Sequence, residues 1–541
     1  MITSLDYAIL VLYFVGLIAL SAYLGRQFVD LKDFFLGSRR IPSWAIAASI
    51  MATQASVISM ISAPAFVAVR PGGGLIWLQY ELAVPLAMIL VMAVLAPFFY
   101  RSGVVTIYEY LERRFDVHTR TLLSLVFQVS RGLATGVAIY AAGILLSVVL
   151  DTPLWVSILL MGVISLIYTA IGGIAAVIWS DVIQLVILWA GIFVVMGFAI
   201  AVGGGWTAVV SQIPLERFRA VDFSSHGLGD RETFGFWPMV IGGFFLYASY
   251  YGCDQSQIQR VLCSESVEKS RKALWLNGLL RFPLVLSYSL VGLLMAGFVA
   301  KTPDFASAIP PEHLDYLVPL FIKRYVPAGL TGLILAGMFA AVMSSIDSAF
   351  NSLSAATVQD IYVRHVNPRA SDRQYLFWSR VTTVFWGLVC TGFAFWVGNL
   401  APTVIEGINK IGSVFYGPTL AAFLLSILSR RVTGRGVIWG LVAGVGVNVL
   451  LWQSLDPDVS WLWWNAIGCA AALAVTYAAS PWGRRPRPEQ LEGLTIERRA
   501  VWESFREGRN QHLVLVGYFL FILLVSYGLW FLHIPLPVGS Q

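Results

Sequence analysis

The chain has 541 residues, of which 58% are hydrophobic and only 12% are charged, and its mean hydropathy is +0.75. This composition excludes a soluble globular domain and indicates an integral membrane protein. The formal net charge of +6 does not indicate a nucleic-acid-binding protein, because the basic residues lie between apolar segments, where they act as topology signals. The four cysteines have no metal-ligand spacing and imply no disulfide framework.

Fourteen apolar segments along the chain are long enough to be predicted as transmembrane helices. The first lacks the basic start of a signal peptide, so we predict that it is retained. The connecting segments near 204–235 and 300–326 are long enough for short helices or lids, whereas 481–512 is too short for a folded domain. The predicted spans are 5–25, 44–69, 75–100, 122–149, 154–178, 182–203, 236–258, 273–299, 327–361, 376–399, 403–429, 435–454, 460–480 and 513–533.

The distribution of basic residues predicts the orientation of these spans. The loops after spans 1, 3, 7, 9, 11 and 13 hold 26 Lys or Arg residues, Arg260 among them, when Arg380 and Arg435 at the starts of the following spans are included, and the loops on the other side hold seven. The positive-inside rule places the 26 in the cytoplasm, so both termini are predicted to face outward. Short tails and short extramembrane loops favour a bacterial source, and the predicted location is therefore a bacterial inner (plasma) membrane.

The ninth span combines an apolar composition with hydroxyls in helical register. Ser344, Ser345 and Ser348, with Asp347 close by, recur at spacings that stack side chains on one side of a helix. Hydroxyl and carboxylate oxygens at membrane depth suit a small hard cation such as sodium. The alternative is that these hydroxyls merely bond backbone carbonyls one turn back. The stretch alone leaves both interpretations open.

The second span carries the complementary feature. Thr53, Gln54, Ser56 and Ser59 interrupt an apolar sequence. We predict a helix break near residues 52–56, because broken helices at the membrane midplane free backbone carbonyls to coordinate an ion or a substrate.

Several ionisable residues fall inside predicted spans. Each costs at least ~2.5–3.5 kcal/mol on insertion scales and therefore needs a partner or a function. Structural ion pairs would account for some of them, such as Glu81 with Arg281 or Glu406 with Lys410, and pairing is the favoured explanation for Arg131 and Glu406. All six histidines lie in loops or at span ends, which argues against an intramembrane metalloenzyme. They include Glu81, Arg131, Asp181, Asp254, Arg281, Asp347, Glu406 and Lys410.

Four passages resemble the sodium:solute symporter family, which includes sodium/glucose, sodium/monocarboxylate, iodide, and bacterial sialic acid and proline carriers. They are GVVTIYEYLERRFD after the third span, YTAIGGIAAVIWSDVIQ at 168–184, YYGCDQSQIQRVL at 250–262 and AAVMSSIDSAFNS at 340–352. The resemblance covers roughly residues 5–450.

The resemblance implies an all-α integral membrane protein with a LeuT-type fold. Spans 2–6 (residues 44–203) and 7–11 (residues 236–429) would form two inverted five-helix repeats with sites at their interface. The first helix (5–25) and the C-terminal helices (435–533) would be peripheral. Residues 1–541 would then form a single transporter domain.

The resemblance also implies two cation sites. The family's principal sodium site would use backbone carbonyls and two hydroxyls from Ala52, Ala55, Ala341, Ser344 and Ser345. A second site would use Asp181, Asp347 and Ser348.

Asp347 departs from the family pattern, because it is a carboxylate where a hydroxyl is usual. Two carboxylates would strengthen a sodium site, or would raise one pKa so that a proton is held instead.

The substrate pocket implied by the resemblance contains Ser59, Glu81, Tyr250, Tyr251, Asp254, Arg281 and Lys410, with Tyr250 as the inner aromatic gate. Glu81 is a feature of sugar carriers, because its carboxylate would accept hydrogen bonds from the hydroxyls of the sugar. Arg281 and Lys410 depart from the sugar pattern, since a guanidinium is a planar fork suited to carboxylates.

The sequence therefore predicts a sodium-coupled symporter that imports a small polar solute by alternating access, with sodium as the coupling ion. A sugar or cyclitol is favoured, and a monocarboxylate or a sialic-acid-type acidic sugar is the alternative. We predict no enzyme activity, no nucleic-acid partner and no obligate protein partner. Besides the solute and sodium, the only predicted partner is the lipid bilayer. A transmembrane solute sensor would need a cytoplasmic extension, whereas this chain is predicted to end outside. For a channel, the carboxylates are too scattered to form a pore ring.

Overall fold

The computed structural model describes residues 3–25, 39–169, 174–399 and 401–533, which are almost entirely helical. The principal helices are α1 (Ser4–Gly25), α2 (Ser43–Gln54), α3 (Val57–Ala68), α4 (Leu75–Ser102), α5 (Ile107–Arg114), α6 (Val117–Leu150), α7 (Leu154–Thr169), α8 (Ile174–Val202), α9 (Gly243–Cys253), α10 (Gln255–Leu262), α11 (Val267–Lys301), α12 (Leu317–Tyr325), α13 (Leu330–Ala356), α14 (Asp372–Ala394), α15 (Val404–Leu428), α16 (Gly434–Leu455), α17 (Trp464–Ala479), α18 (Arg498–Glu507) and α19 (Arg509–Gly528).

Every predicted span coincides with one or two of these helices. Among the described residues, eight helical stretches are long and apolar enough to cross a membrane, and a bent pair, α2 with α3, raises the number to nine. The total of fourteen spans therefore stays a prediction. The boundary predicted between spans 5 and 6, at residues 179–181, was wrong, because α8 extends from Ile174 to Val202 without a break. Asp181 consequently lies within a long helix.

The predicted break in the second span is present. Helix α2 ends at Gln54, Ala55 leaves helical geometry with φ −83° and ψ 65°, and the two helix halves are bent by 55°. The side chain of Ser56 accepts a hydrogen bond from the Ile58 N–H at 3.2 Å and so caps α3. The interruption therefore has a local cause in the polar residues between the two halves.

A second break, which sequence analysis did not predict, separates α9 from α10. Asp254 is extended, with φ −93° and ψ 122°, and its Oδ1 accepts the Ser256 N–H at 2.8 Å as the cap of α10. An N-capping aspartate is a recognisable start signal, but the apolar run around it masked the signal. The two breaks fall in the first span of each predicted repeat.

Helix α13 lies at the centre of the packed helices. It packs against α1, α2, α6, α8 and α14, and most of its side chains are buried. Asp6 of α1 accepts the N–H groups of Gly329 and Gly332, each at 2.7 Å, at the start of α13. A carboxylate at a helix N-terminus is favourable, so α1 helps to fix the helix that carries the hydroxyls.

Candidate ion and substrate sites

The hydroxyls of Ser344 and Ser345 on α13 meet the broken end of α2. Ser344 Oγ donates to the Ala52 carbonyl at 3.1 Å and to the Ala341 carbonyl at 3.0 Å. Ser345 Oγ donates to the Thr53 carbonyl at 2.8 Å and to the Ala341 carbonyl at 3.3 Å. The structure thus brings together four of the five predicted residues and adds the Thr53 carbonyl.

This first cation cluster, defined by Ala52, Thr53, Ala341, Ser344 and Ser345, is chemically suited to sodium. It supplies three carbonyl and two hydroxyl oxygens from two helices, all hard donors without thiol or imidazole. In this structure the two hydroxyls donate hydrogen bonds to the carbonyl oxygens. A bound cation would replace the hydroxyl hydrogens as the positively charged partner of these carbonyl oxygens. Ala55, the fifth predicted residue, is the terminal residue of the break itself.

The second cation cluster comprises Asp181 of α8, Ser49 and Thr53 of α2, and Ser348 of α13. Ser49 Oγ donates to Asp181 Oδ2 at 2.5 Å, and the Thr53 hydroxyl lies 3.5 Å both from Asp181 Oδ2 and from Ser348 Oγ. Asp347, buried with 1% exposure, is the neighbour of Ser348 along α13. Asp181 and Ser348 are therefore brought together as predicted.

Arg260 lies inside this second cluster, where sequence analysis had counted it with a cytoplasmic loop. Its Nη2 donates to Thr53 Oγ1 at 2.6 Å and to Asp181 Oδ2 at 3.2 Å, and also to Ser348 Oγ. Its Nε donates to Ser49 Oγ at 2.7 Å. The side chain is fully buried, because α10 continues to Leu262, past the end predicted for the seventh span. Because the predicted end of the seventh span was too early, sequence analysis assigned this buried positive charge to a loop.

A polar cavity lies between the two broken helices and α4, α6, α11 and α15. Of the predicted substrate residues, the cavity is lined by Ser59, Glu81, Tyr250 and Arg281. Further lining residues that sequence analysis did not assign to a site are Thr53, Gln54, Arg131, Tyr247, Asn409 and Tyr416. Glu81, Arg131 and Arg281 are the charged members of this lining.

Glu81 and Arg281 form a two-point ion pair within the cavity wall. Arg281 Nε donates to Glu81 Oε2 at 3.0 Å, and Nη2 donates to Oε1 at 3.3 Å. The Tyr247 hydroxyl also donates to Oε1, at 3.0 Å. Both Glu81 oxygens are therefore engaged, whereas Arg281 Nη1 makes no hydrogen bond of good geometry with any described residue.

Arg131 reaches the cavity from α6 and is paired with Asp254 at the second helix break. Its Nη2 lies 3.2 Å from Asp254 Oδ1 and also donates to Ser256 Oγ, and its guanidinium lies over the Tyr250 ring at 5.5 Å. Arg131 Nε makes no hydrogen bond of good geometry with any described residue. Asp254 itself is outside the cavity lining, but it pairs with Arg131, which lines the cavity.

Besides Asp254, two further predicted substrate residues, Tyr251 and Lys410, lie outside the lining of the cavity. The Tyr251 hydroxyl donates to Gln54 Oε1, so this ring supports the wall from behind. Lys410 pairs with Asp456 and lies over the rings of Trp452 and Trp464.

The expected pair between Glu406 and Lys410 was wrong. Glu406 instead binds Arg70, with Nη2 to Oε2 at 2.9 Å. Position 410 faces away from the cavity that the neighbouring Asn409 lines, because residues adjacent in a helix point in different directions.

Two broken helices, clusters of oxygen atoms beside the first break and a cavity with charged and polar lining residues between the broken helices are the features expected of a secondary transporter. The chain belongs to the sodium:solute symporter family, whose sequence profile matches residues 34–444. Its coupling ion is therefore sodium, and it is a multi-pass membrane transporter, not an enzyme.

Two relatives match over most of their length. The chain is 29% identical over 473 residues to sodium-coupled monocarboxylate transporter 1 of Xenopus laevis, covering 86% of this chain and 71% of that protein. It is 29% identical over 486 residues to the sodium/sialic acid symporter NanT of Aliivibrio fischeri, covering 88% of this chain and 93% of that protein.

The fold is similar to that of a solved structure, the substrate-bound outward-open state of a Na⁺-coupled sialic acid symporter. The two share a TM-score of 0.77 and 25% identity over 90% of this chain and 100% of that chain. This likeness confirms the predicted all-α, LeuT-type membrane fold.

Proposed function

We propose that this chain imports a small organic carboxylate, either a monocarboxylate or an acidic sugar, together with sodium by alternating access. The observation that carries the proposal is the state of two cavity arginines. Arg281 Nη1 and Arg131 Nε are buried and make no hydrogen bond of good geometry with any described residue, although Tyr288 lies beside the guanidinium of Arg281 and Tyr250 beside that of Arg131.

Unsatisfied guanidinium N–H groups favour an anionic ligand. Leaving a buried donor unpaired costs roughly 1–3 kcal/mol, and more for a charged group. A carboxylate supplies acceptor oxygens to a guanidinium in a planar geometry that a neutral hydroxyl does not match. Arg131 and Arg281 line the same cavity from α6 and α11, so they are available to the two ends of one solute or to its carboxylate and a neighbouring polar group.

The sugar or cyclitol interpretation is weakened by the environment of Glu81. That interpretation needs the carboxylate of Glu81 to accept hydrogen bonds from substrate hydroxyls. Both of its oxygens already accept from Arg281, and one also accepts from Tyr247. The names of the two relatives, a monocarboxylate transporter and a sialic acid symporter, support a carboxylate as well.

Sodium at the first cation cluster would couple ion entry to conformation. The cluster joins the end of α2 to α13, so an ion there stabilises the arrangement in which these two helices meet. One sodium ion entering down a membrane potential of 100 mV supplies ~2.3 kcal/mol, before any concentration term. That energy is enough to drive accumulation of a solute.

The cellular location forms part of the same proposal. A cell membrane with both termini outside follows from the excess of 26 basic residues over seven between the two sets of loops. Labelling of a single cysteine introduced at residue 3 by an impermeant maleimide in whole cells tests the orientation. Labelling that occurs only after the cells are permeabilised would place the N-terminus inside and contradict the predicted orientation.

The experiment that tests the substrate class is uptake into proteoliposomes. The labelled panel contains lactate, sialic acid, iodide, glucose, inositol and proline, with an inward gradient of sodium or of choline. Sodium-driven accumulation of lactate or sialic acid supports the proposal. Accumulation of glucose, inositol, proline or iodide alone would contradict it.

Variants of the cavity arginines sharpen this test. Arg131→Gln and Arg281→Gln should each raise the apparent KM for the carboxylate by about tenfold or more, since each removes a charge-assisted hydrogen bond. Lys410→Gln is the matched control, because it removes a positive charge that faces away from the cavity. If only Lys410→Gln raised the KM, the anion would bind at Lys410 and not at the two cavity arginines.

A further inference from the structure

Arg260 occupies the second cation cluster as a positive charge supplied by the chain itself. Its side chain has no exposed surface, and it donates to the same oxygens that would ligate a cation there. These acceptors are Ser49 Oγ, Thr53 Oγ1, Ser348 Oγ and Asp181 Oδ2.

We propose that Arg260 and sodium compete for this cluster, so that sodium binds between Asp181 and Ser348 only after the guanidinium has left them. The proposal rests on the sodium coupling of the family and does not depend on the substrate. Arg260 then supplies the positive charge that neutralises Asp181 when no sodium is bound.

The competition follows from shared ligands and like charge. Sodium requires several oxygen donors at close range, and the lone pairs of Ser348 and Thr53 are directed here to guanidinium hydrogens. Two cations within a few ångströms repel each other strongly in a buried, low-dielectric site. Asp181 is the only carboxylate paired with Arg260 among the described residues, and the guanidinium occupies its Oδ2 while Oδ1 makes no hydrogen bond with a described residue. Sodium at this cluster would therefore place a second positive charge beside one carboxylate that already neutralises Arg260.

The helix break at Asp254 gives Arg260 a way to leave. Arg260 lies on α10, a short helix that follows this break, whereas Asp181 and Ser348 lie on the long helices α8 and α13. Displacement of the guanidinium would release the link between α10 and these two helices. Sodium at this cluster would therefore disfavour the conformation observed here, which is coupling by differential binding to two states.

Equilibrium binding of ²²Na⁺ to purified protein tests the proposal. Arg260→Gln should raise the apparent affinity for sodium by at least roughly fivefold, the low end of typical coupling between two ligands. The double variant Arg260→Gln/Asp181→Asn should lose this gain, because it removes the anionic ligand. Arg271→Gln is the matched control: Arg271 is also buried, but it binds Glu507 and Ser504 in another part of the protein.

Unchanged or weaker sodium binding in folded Arg260→Gln would overturn the proposal. Hydrogen–deuterium exchange of the unmodified protein gives a second test that needs no variant. Peptides covering α10 should exchange faster in sodium than in choline, since sodium releases the Arg260 link. Equal or slower exchange would also overturn the proposal. Neither readout involves an organic solute, so a failed substrate assignment would appear only in the uptake panel.

Discussion

Arg281 binds Glu81 through two hydrogen bonds inside the protein, Nε to Oε2 at 3.0 Å and Nη2 to Oε1 at 3.3 Å, with at most 6% of either side chain exposed. The pair joins α11 to α4. It holds the guanidinium with Nη1 unused, and this geometry underlies the proposed preference for a carboxylate.

The stability of this pair provides the first prediction. Glu81→Gln leaves a buried guanidinium without its counter-charge and should lower the free energy of unfolding by about 3–5 kcal/mol. Glu81→Gln/Arg281→Gln should recover most of that loss, since both charges are then absent. Denaturant unfolding in detergent measures both values.

Glu109→Gln provides the control for this prediction. Glu109 belongs to a more exposed helical pair with Arg113, and its removal should cost well under ~1 kcal/mol. An unfolding free energy of Glu81→Gln equal to that of the unmodified protein would show that the pair does not stabilise the fold.

The first cation cluster provides the second prediction. Ser344→Ala removes a hydroxyl oxygen that lies 3.1 Å from the Ala52 carbonyl. The sodium concentration for half-maximal uptake should rise by about tenfold, corresponding to the loss of one ligand worth ~1.4 kcal/mol. Folding should be retained.

The matched control is Ser352→Ala. Ser352 is also buried in α13, but its hydroxyl donates to the Ser348 carbonyl in the same helix. Sodium activation should be nearly unchanged in this variant. Equal sodium activation in Ser344→Ala and Ser352→Ala would remove Ser344 from the ion site.

The ion pair between Arg70 and Glu406 provides the third prediction. It connects the segment after α3 to α15, with 20% and 6% of the two side chains exposed. Arg70→Gln should destabilise the protein by about 1–3 kcal/mol, between the values for exposed and for fully buried pairs. Arg231→Gln should cost at most ~1 kcal/mol, because the Arg231–Asp458 pair is 76% and 48% exposed. The prediction is wrong if the two variants show the same denaturation midpoint.

Asp315, in the segment before α12, provides a prediction about pH. Burial raises the pKa of Asp315 to about 6, and the nearby Glu406 acts in the same direction, while hydrogen bonds from Ser62 and the Val404 N–H oppose it. The folded protein therefore binds more protons than the unfolded chain between the ordinary aspartate pKa of 3.8 and about 6. The contribution of Asp315 to stability is fully present below pH 3.8 and is lost as the pH rises to about 6.

Asp315→Asn tests this dependence, because an amide stays neutral. Between pH 4 and pH 7, the unfolding free energy of the unmodified protein should fall by more than that of Asp315→Asn. The difference between the two decreases should be roughly 2–3 kcal/mol. Asp458→Asn, which changes a largely exposed carboxylate, is the control. Parallel pH profiles for Asp315→Asn and the unmodified protein would refute the assignment.

Much of the fold was predictable, because it depends on local composition. Apolar runs located the helices, and the polar residues from Thr53 to Ser56 located the break between α2 and α3. The break at Asp254 was missed, since a single capping residue in an apolar run is a weak local signal. The total number of spans and the assignment of the site residues remain predictions.

The sequence by itself determined the membrane class, the family and the presence of ionisable groups at membrane depth. These properties follow from composition and from motifs that are read along the chain. Only the tertiary structure decided which charges meet. Glu406 binds Arg70 and not Lys410, and Arg260 reaches Asp181, 79 residues away. The physical reason is that an ion pair depends on the rotation and the ends of two packed helices. A shift of a few residues at the end of α10 separates a solvated loop arginine from a buried one.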